Sequence, residues 1–411
     1  MDVRISPSLL SGTIKAISSK SDVHRLIIGA ALAKGVSQIR FTTLSEDIAA
    51  TIGAVRMMGA VLNLDGCDGD YTLTVTGLTK MTNGAVLYAH ECGTTARLLL
   101  PVAAALCDEF KITGSEGLCK RPFKELCDCI SQNGTNCSSP CLPIAASGRL
   151  KSGVFSIRGD VSSQYISGLL FALPLLDGDS EIRLTTPLVS AGYVDMTVKT
   201  LSRFNIKVDI SDNLIKIQGN QTYRPISSCV AEGDWSNAAF WLSARALGGN
   251  VAVKGLDESS LQKDKAIADI LREICKDSLI AANVHGEDIP DILPIIAAVL
   301  CLAKGKSVIS GASRLKIKES DRIASTVSML KSLGADIEGT DDGFIINGVE
   351  CFSGGEVDSA NDHRIAMCAA IASQRAIGDV IIHGAECVKK SYPTFFEDFE
   401  KLGGKYSVIN G

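Results

Sequence analysis

A helix end, a Gly-Ala step, a strand, a turn and a second strand closing on Gly recur along this chain. RMMGAVLNLDGCDGDYTLTVTG (56–77) and MLKSLGADIEGTDDGFIING (329–348) share that form. LSRFNIKVDISDNLIKIQG (201–219) repeats it with Asn205 in the Gly position; weaker copies surround Gly134 and close the chain in EKLGGKYSVING. Such repetition constrains a fold more than local propensity does, because each copy builds one supersecondary unit and buries its apolar face on its neighbours. The spacing is roughly seventy residues. Each unit reads β-α-β-α-β-β, with one helix apolar all round, one amphipathic helix and a hairpin. Its short strands, such as YTLTVTG and GFIING, alternate apolar and polar residues. About six units fit the chain, as two domains of three. The crossing between halves is expected at Glu232, Gly233 and Asp234, giving one domain over 19–231 and a second from 1–18 with 232–411.

The net charge of −5 excludes a global basic field for nucleic acid or an anionic membrane, so any anion site must come from local Lys and Arg. The start, MDVRISPSLLSG, has neither a charged n-region nor a long apolar stretch, and reads as no signal peptide. The longest apolar run, ILPIIAAVLCLA (292–303), is short for a bilayer span and reads as a buried helix. A cytoplasmic location is therefore expected, with the 14 Cys mostly reduced. Cys119, Cys127, Cys129, Cys137 and Cys141 have a loose zinc-like spacing, but they lack paired C-x-x-C knuckles and a nearby His. They read as structural thiols, and no metal is expected.

Cations gather where helices begin. SSKSDVHRLIIGAALAKG (18–35) reads as a helix with Ser19 or Ser21 near its N-cap and Gly35 after its last turn, yet Lys20 and Arg25 sit near its start. The positive end of a helix favours acidic residues, so cations there cost stability unless an anion lies between them. The pattern returns with Arg97 after Gly93 and Thr94, with Arg121 before Pro122, and with Lys318 and Arg322 in KIKESDR. It returns again with Arg364 behind Asn361 or Asp362, and with Lys389 and Lys390 before Pro393. Any one of these could be a solvated cation, or a local pair such as Lys318 with Asp321 or Glu319 with Arg322. If the starts converge, their N–H groups and cations make one anion-attracting cleft. Two carboxylates intrude on the basic set. Asp291 reads as an N-cap or as a general acid or base, and Glu319 sits inside KESDR. Ser162, Ser163 and Gln164 open another apolar helix with groups suited to capping, or to phosphate and sugar-like hydroxyls. His363 in NDHR reads equally as a local structural bond or a site residue. GKS at 305–307 is no P-loop, because Leu300 stands where Gly is required.

These segments resemble the 5-enolpyruvylshikimate-3-phosphate synthase family. The resemblance rests on KSDVHR (20–25), the Gly93-Thr94 loop with Arg97, Arg121-Pro122, VSSQY (161–165) and PLVSAGYVDMT (187–197). It continues through IPD (289–291), KIKESDR (316–322), NDHR (361–364) and KKSYP (389–393), in the family's order. It implies an inside-out α/β barrel fold of two similar domains, each of three βαβαββ units, closing on a central cleft. The implied activity transfers the enolpyruvyl group of phosphoenolpyruvate to the 5-hydroxyl of shikimate 3-phosphate and releases phosphate, in aromatic amino acid biosynthesis. The first domain would mainly hold shikimate 3-phosphate; the second would carry the carboxylates and the phosphoenolpyruvate clamp. By matching position, Lys20 touches both substrates. Ser21, Arg25, Ser162, Ser163, Ser190 and Lys318 resemble the shikimate 3-phosphate set, with Asp291 at its 5-hydroxyl. Gln164 lies between the substrates. Gly93, Arg121, Arg322, Arg364 and Lys390 resemble the phosphoenolpyruvate clamp. Asp291 matches the base and Glu319 the proton donor. No cofactor, nucleic acid or membrane partner is implied, and a monomer is expected.

Some positions depart from the family pattern: Glu91-Cys92 before Gly93, Arg314, and Cys119-Lys120 before Arg121. The stretch around 270–290 is short. The related transferase acting on UDP-N-acetylglucosamine carries a loop Cys several residues before an Arg-Pro, whereas Cys119 lies two before Arg121. A non-catalytic anion-binding module would not need both Asp291 and Glu319. Gly93 leaves room beside phosphoenolpyruvate, so sensitivity to glyphosate is expected.

Overall fold

The structure, a computed structural model, describes residues 1–276 and 278–410. The chain forms two compact units, one from Met1–Ile17 with Glu232–Gly411 and one from Ser18–Ala231. Among the described residues there are five four-stranded sheets and one two-stranded sheet.

In the Ser18–Ala231 unit, Val154–Ile157 runs parallel to Ser180–Leu184, which pairs antiparallel with Leu214–Ile217; the last strand turns back onto Asp209–Ser211. Helix Ser163–Ala172 joins the two parallel strands and helix Ala191–Arg203 leads to the hairpin. That is the β-α-β-α-β-β unit read from the sequence. The sheet begun by Ala85–Tyr88 has the same order. The third sheet takes its first strand, Cys229–Val230, from the end of the segment and lays it parallel to Val36–Phe41.

The other unit contains one sheet of Asn283–His285, Lys306–Ser310, Gly343–Asn347 and Asp336–Thr340. In a second sheet, the N-terminal strand Asp2–Ser6 lies between Val380–His383 and Lys405–Asn410. The third is reduced. Ser11–Lys15 pairs with Asn250–Lys254 alone, and after helix Ala266–Ile274 the hairpin shrinks to one bridge between Cys275 and Leu279. The short stretch noted around 270–290 falls there.

Within each unit the apolar helices are the core. Lys20–Leu32, Gly93–Leu106 and Ser163–Ala172 are buried along most of their length in one unit, as are Trp235–Ala246, Leu293–Leu300 and His363–Ala372 in the other. All eight residues of Leu293–Leu300 are buried, which explains the apolar run. Each Leu or Ile so buried contributes about 1.5–3 kcal/mol. Small residues set helix approach: a Cβ added to Gly168 would lie 2.6 Å from Arg97 O on the neighbouring helix. Strands such as Val36–Phe41 alternate exposed and buried residues, so their sheets cover the helices on one face only. No helix among the described residues is long and apolar enough to cross a membrane.

Candidate active site

In the unit containing Glu232–Gly411, three buried helix starts are tied together by one guanidinium. Arg322 opens helix Arg322–Ser332 and is itself buried. Its Nη1 donates to Asp291 Oδ1 at 2.7 Å, and its Nη2 donates to Glu319 Oε2 at 2.6 Å. Its Nε donates to Asp362 Oδ2 at 2.7 Å. Asp291 precedes helix Leu293–Leu300, and Asp362 caps helix His363–Ala372 by accepting from Arg364 N. Lys318 Nζ donates to Asp291 Oδ1 at 3.3 Å, and Arg364 Nη2 lies 3.9 Å from Asp291 Oδ2. Arg364 Nη1 donates to Ser236 O at the start of a further buried helix, Trp235–Ala246, while its Nε has no hydrogen-bond partner among the described residues. Lys390 donates to Asn361 O at 2.8 Å.

This arrangement sets the charges. Burial pushes the Asp291 carboxyl up, but Lys318, Arg364 and Arg322 overcome it and hold the group well below the usual range. Asp291 is therefore a carboxylate at neutral pH. Burial pulls Lys318 down, and the charges of Arg322 and Arg314 pull the same way against Asp291. Arg322 is held protonated because its three carboxylates outweigh its burial.

A second buried carboxyl, Asp264, bonds Ser236 Oγ and leaves Oδ1 without a partner among the described residues. Burial, and then the charge of Asp291, push it up to about 7. The sign follows from linkage. A carboxyl raised from 3.8 to about 7 binds its proton more tightly when folded, so its contribution is largest below pH 4 and is lost as pH rises through about 7. The loss is up to about 4 kcal/mol. Asp291 acts in the opposite direction and in a lower window, its contribution being lost on acidification below about pH 4. Asp264→Asn is expected to remove most of the decline between pH 5 and 8. Urea midpoints across that range check it; a parallel decline in parent and variant would refute it.

In the Ser18–Ala231 unit, hydrogen bonds also link the helix starts. Ser19 caps Lys20–Leu32, and Lys20 Nζ donates to Asp47 Oδ2 at 2.6 Å. Arg25 is buried; its Nε donates to Thr197 Oγ1 at 2.8 Å, Nη1 to Ser21 O and Nη2 to Tyr193 O. Burial brings Arg25 down to about 10, so it remains charged at neutral pH. Ser162 Oγ accepts from Gln164 N, and Gln164 Nε2 donates to Thr94 Oγ1. Arg97 Nη1 donates to Gln164 Oε1 at 3.0 Å. Gly93 starts its helix so close to the cations that an added Cβ would lie 3.3 Å from Arg121 Nη1 and 3.4 Å from Arg97 Nη1. Ser190, in the left-handed region at φ 54°, precedes helix Ala191–Arg203, which carries Tyr193 and Thr197. Ser163 is buried as the first residue of its helix.

The sequence-based expectations divide accordingly. Lys318, Glu319, Arg322, Asp291 and Arg364 come together in one unit. Gly93, Arg121 and Gln164 gather around Arg97 in the other, where Arg25 joins Ser21 to the helix that follows Ser190. The N-cap reading of Asp291 is not realised, since Ile292 is the cap residue and the Asp291 carboxylate turns to Arg322 and Lys318. Glu319 does pair with Arg322, but Asp321 caps its own helix and Lys318 reaches Asp291 instead. Lys389 and Lys390 end the 3-10 turn Ala385–Lys390 rather than opening a helix; the next helix, Phe395–Lys401, begins after Pro393. Pro122 lies just before helix Lys124–Ser131, not at its first position. His363 is buried at a helix start with Nδ1 3.8 Å from Asp362 Oδ1. Sequence reasoning missed Asp47 and Asp264 and saw Asp362 only as a possible cap before Arg364, which it is. The pairing of each with its distant partner was not visible because it spans long sequence separations. The cations were the only local signal that such partners existed.

Two repeated α/β units, each bringing cations and helix N-termini together, one of them with a pair of carboxylates on a shared arginine, define a binder of small polyanions equipped for proton transfer. Comparison with known proteins narrows this class. The chain belongs to the EPSP synthase (3-phosphoshikimate 1-carboxyvinyltransferase) family, whose model matches residues 5–399. It is 41% identical over 420 residues to a 3-phosphoshikimate 1-carboxyvinyltransferase of Clostridium kluyveri, covering 98% of this chain and 97% of that one. The enzyme of the same name from Methanocorpusculum labreanum is 39% identical, over 98% of this chain and 99% of its own. An EPSP synthase structure from Acinetobacter baumannii superposes with a TM-score of 0.81 at 26% identity, covering 99% of this chain and all of that one.

Proposed function

We propose that this chain transfers the enolpyruvyl group of phosphoenolpyruvate to the 5-hydroxyl of shikimate 3-phosphate and releases phosphate. The observation that carries the reading within the family is the shared guanidinium: Arg322 holds Asp291 at 2.7 Å and Glu319 at 2.6 Å. Addition of an alcohol across the double bond of an enol phosphate needs one proton donor and one proton acceptor. Glu319 protonates the methylene carbon of phosphoenolpyruvate, cationic character develops at the adjacent carbon, and the 5-hydroxyl attacks as Asp291 takes its proton. The tetrahedral ketal phosphate that forms then returns a methyl proton to the Glu319 carboxylate as its carbon–oxygen bond to phosphate breaks, giving the enolpyruvyl ether and free phosphate. Chain groups supply the acid, the base and the anion clamps.

The assignment gives shikimate 3-phosphate to Lys20, Ser21, Arg25, Ser162, Ser163, Gln164, Ser190, Asp291 and Lys318. Phosphoenolpyruvate falls to Lys20, Gly93, Arg121, Gln164, Arg322, Arg364 and Lys390. The Nε of buried Arg364, without a hydrogen-bond partner among the described residues, supports its place in the clamp, since an anion would satisfy it. The test is phosphate release with shikimate 3-phosphate plus phosphoenolpyruvate, beside UDP-N-acetylglucosamine plus phosphoenolpyruvate. Release with the first pair only is expected. Release with the second pair would reassign the acceptor, and release with neither would reduce the chain to an anion-binding module.

Gly93 gives a sharper prediction. Its absent Cβ leaves Arg121 and Arg97 in place; the two tightest contacts that alanine would make are to the ends of those flexible side chains, and the third, to Leu118 Cδ1 at 3.6 Å, is ordinary packing. Gly93→Ala is therefore expected to fold normally and to raise KM for phosphoenolpyruvate about tenfold, the cost of a displaced charged hydrogen bond. Glyphosate inhibition, expected of the parent, should weaken in the same variant. An unchanged KM and inhibition constant would remove Gly93 from the site.

A further inference from the structure

His24, Asp47 and Cys92 form a compact group in the Ser18–Ala231 unit, and the reaction above uses none of them directly. An imidazole nitrogen, a carboxylate oxygen and a thiol sulfur from the three all lie within 4.8 Å of one another. His24 Nε2 is 3.9 Å from Cys92 Sγ. His24 Nδ1 lies 2.7 Å from Thr51 Oγ1, which in turn is 2.6 Å from Thr95 Oγ1. His24 and Cys92 are each 1% exposed, whereas Asp47 keeps 14% of its side chain open to solvent.

We propose that His24 Nε2, Cys92 Sγ and a carboxylate oxygen of Asp47 form a binding site for one zinc-class divalent cation, with a fourth position left for water. One soft, one borderline and one hard ligand suit zinc, and three protein ligands leave an open position. Zinc bond lengths of about 2.0–2.3 Å place tetrahedral ligand atoms roughly 3.3–3.7 Å apart; the His24–Cys92 pair at 3.9 Å needs a few tenths of an ångström of closure, and the pairs with Asp47, within 4.8 Å, need up to about 1.5 Å, which the partly exposed Asp47 side chain supplies by turning from Lys20. Thr51 supplies the outer partner that metal-binding histidines use. With Nδ1–H donating to its hydroxyl, the lone pair is left on Nε2, the nitrogen beside Cys92. Binding forms a metal–sulfur bond, breaks the S–H bond and passes one proton to solvent, with no redox change. Thiolate and carboxylate then balance the two positive charges. The five cysteines from Cys119 to Cys141 provide no competing group of three such ligands among the described residues.

The site touches the substrate groups proposed above. Asp47 is the partner of Lys20, and Cys92 caps the helix that Gly93 opens. A bound cation would take Asp47 from Lys20, so on that functional reading zinc inhibits turnover. The deciding measurement is independent of activity. Co²⁺ is titrated into the metal-free full-length chain and its visible and near-ultraviolet spectrum recorded, with Zn²⁺ added as competitor. One equivalent with a thiolate-to-cobalt charge-transfer band is expected in the parent. Cys92→Ser should abolish the band, and His24→Gln should weaken binding about a hundredfold. Thr51→Val should weaken it by roughly 10–100-fold. Lys20→Met should bind more tightly, because the competing ammonium is gone; equal affinity would overturn Asp47 as a ligand. No thiolate band in the parent overturns the site outright. So does a band that survives Cys92→Ser and disappears in Cys137→Ser.

Discussion

Asp291→Asn is expected to lower kcat by about 10²–10⁴-fold, the range for losing a positioned general base. The chain should remain folded, because Arg322 keeps Asp362 and Glu319. The stability cost is the charge on two hydrogen bonds, from Arg322 and Lys318, which the asparagine oxygen still accepts, about 1–3 kcal/mol. In the free protein Lys318, Arg364 and Arg322 hold the Asp291 carboxyl so low that it is a weak base. Two anionic substrates between those cations would neutralise them and raise the carboxyl toward the pH of the reaction. The sign of the pH effect follows. The acidic limb due to Asp291 should lie at lower pH in kcat/KM, which reports the free enzyme, than in kcat, which reports the bound complex. Only the limb that disappears in Asp291→Asn is compared. A kcat within a few-fold of the parent, or limbs in the reverse order, would take the proton-accepting role from Asp291.

The parts of this molecule legible in sequence are those written in short range. Gly-Ala, strand, turn and strand recur within about twenty residues, and the hairpins Val61–Cys67 with Asp70–Thr76 and Asp336–Thr340 with Gly343–Asn347 form where that pattern falls. The apolar run around Leu293 could only be a buried helix. Lys20, Arg322 and Arg364 stand at or near helix starts against the dipole preference, and that anomaly pointed to the site. What balances them was not legible. Asp47 meets Lys20 across 27 positions and Asp362 meets Arg322 across 40, so no local spacing announces either pair. Asp291 resembled a helix cap because a carboxylate before an apolar helix is usually one, and tertiary cations decided otherwise. The N-terminal strand was expected to join the second half, but the completion of another sheet by Cys229–Val230 was hidden for the same reason.

Arg322→Met should cost about 3–5 kcal/mol, the penalty for leaving buried charges unpaired. Arg322 is 1% exposed and Asp362 is fully buried, so water cannot replace the lost partner. Asp291 keeps Lys318 and Arg364, and Glu319 is partly open to solvent, so Asp362 carries most of the penalty. Trp235 and Trp241 are the only tryptophans and both lie in the unit built on Glu232–Gly411, so their fluorescence reports its unfolding. At roughly 2–4 °C per kcal/mol, its Tm should fall by about 6–20 °C. The carboxyl left behind can escape by taking a proton, so the variant's deficit should be larger at pH 8 than at pH 5. Adding Asp362→Asn removes the stranded charge and should recover about 1–3 kcal/mol, a coupling that a double-mutant cycle isolates. Arg322→Lys keeps the charge but cannot reach three carboxylates from one nitrogen, so it should fall between parent and Arg322→Met. If the deficit were the same at both pH values and Asp362→Asn recovered nothing, the loss would be one of packing, and the buried charge network would not hold these helix starts together.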